Sequence, residues 1–154
     1  MANKNLKYFM RDTQDEIVTV PGPETFRDEE GNVLDLEIRV MSQTEIQKIN
    51  RNYRKRSIAT DKKGNPLAYG GEVLWKTEKD SDKATRHLIV EALQFPDLKD
   101  KELMAFYNCV DVTEMPLLVF SRADEYAHVT RAVLTALGMI DAEPDSEVVE
   151  EAKN

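Results

Sequence analysis

From Leu34 to Val40 apolar residues alternate with Asp35, Glu37 and Arg39, the two-residue period of a strand with one buried face. Gly31 supplies the turn before it. Upstream, the β-branched run Ile17, Val18, Thr19 and Val20 stops at Pro21-Gly22-Pro23, a second candidate strand closed by a turn. Leu6, Tyr8 and Phe9 mark a short opening segment. After Val40 the period changes. Ser42 and Glu45 stand at capping-box spacing, Met41 and Ile46 at the positions of a hydrophobic staple, and Ile46, Ile49 and Tyr53 share one helical face. That helix is expected to end near Arg54, Lys55 and Arg56, where cations complement the helix dipole.

Residues 58–80 show no sustained period and contain Gly-Asn-Pro and Gly-Gly, so they are expected to form a long mobile loop, with room for a short hairpin around Leu74 and Trp75. From Asp82 the pattern is helical. Leu88, Ile89, Ala92 and Leu93 form one stripe, which Phe95-Pro96-Asp97 stops. Leu103, Phe106 and Tyr107 mark a short helix, and Thr113 is the expected cap of another that holds Pro116, Leu117, Leu118 and Phe120. Ser121 and Asp124 open a last helix carrying Tyr126, Val129, Val133, Leu134 and Leu137, with Gly138 as its stop. No internal repeat at a fixed period stands out. The sum is an α+β fold: an N-terminal antiparallel β-hairpin or small meander, then a mostly helical C-terminal part.

A length of 154 residues suits one domain, assigned to 1–140, with an acidic tail at 141–154. The net charge of -8 opposes general binding to nucleic acid or an anionic membrane. Charge is unevenly spread, however. The tail holds six acids against Lys153, whereas residues 48–63 hold seven bases against Asp61. Tyr53 interleaves with Arg51, Arg54, Lys55 and Arg56, a pattern compatible with base stacking and phosphate neutralisation. The acidic whole and the helix dipole weigh against that use, and nucleic acid is not the expected partner. The apolar stretches are too short to span a membrane and the N-terminus lacks a signal-peptide core, so the cytosol is the expected location.

Chemistry is harder to find. His87 and His128 are the two histidines, neither with a second His or Cys at helical ligand spacing, so no metal site is expected. Cys109 is the single cysteine and reads as a small packing residue. No serine lies in a nucleophile elbow, Gly70-Gly71 lacks the rest of a phosphate loop, and no pair of carboxylates singles itself out as acid and base. No catalytic residue and no cofactor are assigned. What remains is the apolar weight of residues 84–140. Most of it fills a core, and a surplus would form a groove for a partner helix.

The order of these segments resembles the XkdN-like tail assembly chaperones of Gram-positive contractile-tailed phages and defective prophages. Phe26, Asp28 and Gly31 match that family's F-x-D-x-x-G, Phe95 to Leu103 match its [YF]-P-D-L-K-D-x-E-L, and Tyr107, Leu117, Leu118 and Glu125-Tyr126 follow in its order. The resemblance spans most of residues 6–139. It implies a non-catalytic, cytoplasmic protein, absent from the mature virion, that keeps the helical tape measure protein soluble during tail assembly, with self-association as a further option. The alternative is a structural tail or baseplate component retained in the particle. The candidate partner contacts are Phe95, Tyr107, Leu117, Leu118, Phe120, Tyr126 and Met139. The long 58–80 segment, with Tyr69 and Trp75, and the acidic C-terminus depart from the family's common pattern.

Overall fold

The computed structural model describes residues 4–12 and 15–141. After a 3-10 turn at Leu6–Phe9 come strand β1 (Ile17–Pro21), strand β2 (Asp35–Arg39), helix α1 (Gln43–Asn52), and strands β3 (Arg54–Ile58), β4 (Ala68–Tyr69), β5 (Glu72–Val73) and β6 (Trp75–Lys79). Helix α2 (Ser81–Ala92), strand β7 (Leu93–Phe95), helix α3 (Lys101–Phe106), a 3-10 turn at Val112–Glu114, and helices α4 (Met115–Val119) and α5 (Ala123–Ala136) complete it. The chain is α+β.

The alternation in β2 has the anticipated outcome: Leu36 and Ile38 are buried while Asp35 and Glu37 face solvent. β1 pairs with β2 antiparallel, from Ile17 opposite Arg39 to Pro21 opposite Asp35. The third strand comes from far along the chain. β7 adds antiparallel to the other edge of β2, giving the order β1-β2-β7. Gly22 donates its N–H to the Leu34 carbonyl at 2.9 Å. A Cβ there would stand 2.6 Å from that same oxygen, so the approach requires glycine.

Helix α2 organises the core. Its N-terminus is capped by the Asp80 carboxylate, which accepts the Lys83 N–H at 3.1 Å. Leu88, Ile89 and Val90 are consecutive and all buried, which a helix shows only when neighbours surround it. Those neighbours are α1, the 3-10 turn at Val112–Glu114, α4, α5 and β7. The cluster gathers Leu36 and Ile38 from β2, Ile46 and Ile49 from α1, and Val129 and Val133 from α5. Met41 and Ile46 are both buried beside the Ser42 cap, whose hydroxyl accepts the Glu45 N–H at 3.2 Å. The Glu45 carboxylate reaches Arg39 at 3.0 Å instead of closing the capping box.

Three local expectations are corrected. The helix ends at Asn52, and Arg54, Lys55 and Arg56 lie in β3, not in a helical last turn. The loop expected over 58–80 is hydrogen-bonded ribbon: β3 pairs with β6 and β4 with β5, both antiparallel. No apolar alternation announced these strands because most of their residues are exposed on both faces. At the later helices, Asp111 caps the 3-10 turn through Thr113, and α5 starts after Arg122, whose N–H donates to the Glu125 carboxylate at 3.1 Å. Gly138 does close α5, at positive φ, with Met139 N–H returning to the Leu134 carbonyl at 2.9 Å. The acidic tail beyond residue 141 lies outside the described residues.

Candidate functional site

Four segments distant in sequence meet around an apolar pocket of about 210 Å³. Pro23, Phe26, Leu34 and Leu36 form the side contributed by the first hairpin, Phe95 and Pro96 the end of β7, Leu103 and Tyr107 the α3 side, and Val119 and Phe120 the side after α4. Asp35 is the single charged residue among the lining. Phe26 and Phe120 pack edge to face with ring centroids 5.5 Å apart, the geometry in which a positive ring edge meets a negative face. The volume exceeds the roughly 150 Å³ of apolar cavity that suffices for a benzene ring. The pocket therefore has space for one large apolar side chain.

Of the seven candidate contacts, Phe95, Tyr107 and Phe120 converge here. Phe95 is half-exposed at the rim, whereas Phe120 is only 2% exposed and belongs to the core. The surface role expected of Phe120 is corrected accordingly: it follows the last residue of α4, where its ring turns inward against Phe26. Leu117 and Leu118 are exposed on α4, and Met139 is exposed beyond α5. Tyr126 is partly buried against the core. None of these four lines the pocket. Sequence reading missed Phe26, Leu34 and Leu103 as lining residues, although the alternation from Leu34 to Val40 already placed Leu34 on the face of Leu36. Phe106, 76% exposed and edge to face with Tyr107 at 4.9 Å, is a further apolar surface residue on α3.

Both histidines, Cys109 and Glu125 have structural partners. Tyr53 hydroxyl meets His87 Nδ1 at 2.7 Å, while Nε2 of that ring faces Glu91 at 3.6 Å. His128 Nε2 lies 2.9 Å from the Pro21 carbonyl, which can only accept, so this nitrogen carries the proton. The Cys109 thiol donates to the Asp111 carbonyl at 3.0 Å. Burial, then the charges of Asp111 and Glu114, push its pKa up, the opposite of an activated thiolate. Glu125, buried, accepts hydrogen bonds from Thr25 Oγ1 and the Arg122 N–H, fixing α5 to the segment before Phe26. Among the described residues no helix is long and apolar enough to cross a membrane.

A family model described as phage XkdN-like tail assembly chaperone protein matches residues 6–153. The fold is similar to the crystal structure of the protein YqbN, with a TM-score of 0.65 and 24% identity over 89% of this chain and 98% of that one. No curated protein matches.

Proposed function

The chain belongs to the XkdN-like family of phage tail assembly chaperones, and from that membership we propose that it binds the tape measure protein and keeps it soluble until the tail tube forms around it. The observation that supports this reading is the apolar pocket, bordered by half-exposed Phe95. A long helical client exposes apolar stripes at i, i+3, i+4 and i+7, and an anchor side chain from such a stripe fits a pocket of this volume and lining. Leu117, Leu118 and Phe106 add exposed apolar surface for the rest of the stripe. The net charge of -8 keeps the complex from associating further. The protein acts in the host cytoplasm by holding, without turnover, and leaves before the particle is complete.

Co-expression with the tape measure protein of the same genome is the direct test. Soluble tape measure should rise with this chain present, and a Phe95→Glu variant should abolish the gain while its own unfolding transition stays cooperative. Equal solubility with and without the chain refutes the reading. Recovery of the chain in purified particles would instead make it a retained tail component.

A further inference from the structure

The β3–β6 ribbon has two unlike faces. Residues directly opposite in an antiparallel pair share a face, so Arg54 with Lys79, Arg56 with Thr77, and Ile58 with Trp75 form one, while Lys55 with Glu78 and Ser57 with Lys76 form the other. The second face holds an acid of its own, and Glu78 forms an ion pair with Lys76 at 2.7 Å, leaving Lys55 as its one unmatched charge. The first carries three cations and no acid. The Arg56 guanidinium lies 4.8 Å from the Trp75 ring centroid, and among the described residues no carboxylate lies within ion-pair distance of Arg54, Arg56 or Lys79. Arg54 and Lys79 are set directly opposite one another, an arrangement that disfavours the ribbon unless an anion joins them. Toward the tip the same face turns apolar, with Trp75 53% exposed and Ile58 40% exposed.

We propose that this face docks an acidic polypeptide segment in which neighbouring carboxylates are followed by an apolar residue. The carboxylates meet Arg54, Arg56 and Lys79, and the planar guanidinium of Arg56, placed over the Trp75 ring, offers a two-pronged contact. The apolar residue covers Trp75 and Ile58. The face is roughly 17 Å long, enough for a short segment and not for a polyanion. A nucleic acid would run past the ribbon and be repelled by the rest of a chain whose net charge is -8 although residues 54–79 carry seven bases against three acids. The site is separate from the apolar pocket and does not depend on the tape measure assignment.

Trp75 is the single tryptophan, so its emission reports the site directly in the full chain. Titration with a synthetic peptide GEEELLG at low salt should shift Trp75 emission saturably, and 0.5 M salt should weaken the binding. An Arg54→Ser, Arg56→Ser, Lys79→Ser variant with unchanged circular dichroism should bind about tenfold more weakly. Arg56→Lys, which keeps the charge and loses the two-pronged guanidinium, should fall between. Absence of a saturable shift, or equal affinity in the triple variant, overturns the proposal. Tighter binding of a single-stranded oligothymidylate than of the peptide overturns it in favour of nucleic acid. A tenfold gain in peptide affinity on replacing Glu147, Glu150 and Glu151 by Gln overturns it in favour of the chain's own acidic segment.

Discussion

Residues 26–34 and 59–67 turn the chain in the same way, yet the first turn leans on the core and the second stands in solvent. Both contain D-x-x-G-N, as Asp28 to Asn32 and Asp61 to Asn65. In each, the aspartate carboxylate accepts two backbone N–H groups at 2.9 Å, from Glu30 and Asn32 in one and from Lys63 and Asn65 in the other. Gly31 and Gly64 share φ 86°, a left-handed conformation that favours glycine. The flanking bridge is also repeated, Arg27 with Val33 and Thr60 with Pro66. The flanks differ in what they bury. Phe26 and Leu34 line the apolar pocket, whereas Ala59 and Leu67 carry a ribbon most of whose residues are exposed. Local chemistry sets the bend, and burial of its flanks decides whether the bend matters to global stability.

The widest separation should appear on truncating one isoleucine from each region. Ile38, fully buried in β2, should cost about 2–5 kcal/mol on Ile38→Ala, while Ile58→Ala in the ribbon should stay within about 0.5 kcal/mol, both read by urea unfolding. Comparable losses would mean that the ribbon shares the core's cooperativity. Gly22→Ala comes next. Its new Cβ would meet the Leu34 carbonyl oxygen at 2.6 Å, and the backbone beside the pocket must shift, at about 1–3 kcal/mol. A neutral Gly22→Ala would show that the strand connection yields freely.

The same contrast explains what was legible in the sequence. β2 was visible because one face is buried, and α2 and α5 because their stripes are long. β3 and β6 were invisible to hydrophobic period: their registers bring Arg54 against Lys79 and Lys55 against Glu78, with no buried face to write a pattern. The readable trace of the ribbon is the second D-x-x-G-N, whose first copy contains Gly31, the glycine that marks the turn before β2. The pocket was only partly legible. Phe95, Tyr107 and Phe120 were named for size and order along the chain, but their meeting with Phe26 and Leu34 depends on β7 joining β2, a pairing between distant segments that local patterns do not encode.

A finer version of the comparison replaces the two turn aspartates. Asp28→Ala should lower global stability by about 1 kcal/mol, since its carboxylate satisfies two amides in a turn tied to the core. Asp61→Ala should leave the urea midpoint unchanged and act only locally, as faster hydrogen exchange at Lys63 and Asn65. If both substitutions moved the midpoint equally, the two turns would be equivalent and burial of the flanks irrelevant.

The smallest effect is electrostatic and confined to the exposed turn. Hydrogen bonds from the Asn65 amide, and then from Lys63, hold the Asp61 carboxyl below its ordinary value of 3.8. A carboxylate depressed by folding contributes its stabilisation in full above the unfolded pKa and loses it as the pH falls through the folded one. Exchange at Lys63 and Asn65, corrected for intrinsic rate, should therefore be protected near neutrality and lose protection below about pH 3.8, toward the depressed pKa. Asp61→Asn keeps an acceptor oxygen in the same place and removes the titration, so its exchange profile should be flat through this range. A matching acid transition in the Asn variant would assign the opening to other carboxylates, and the turn would no longer count as an independent local unit.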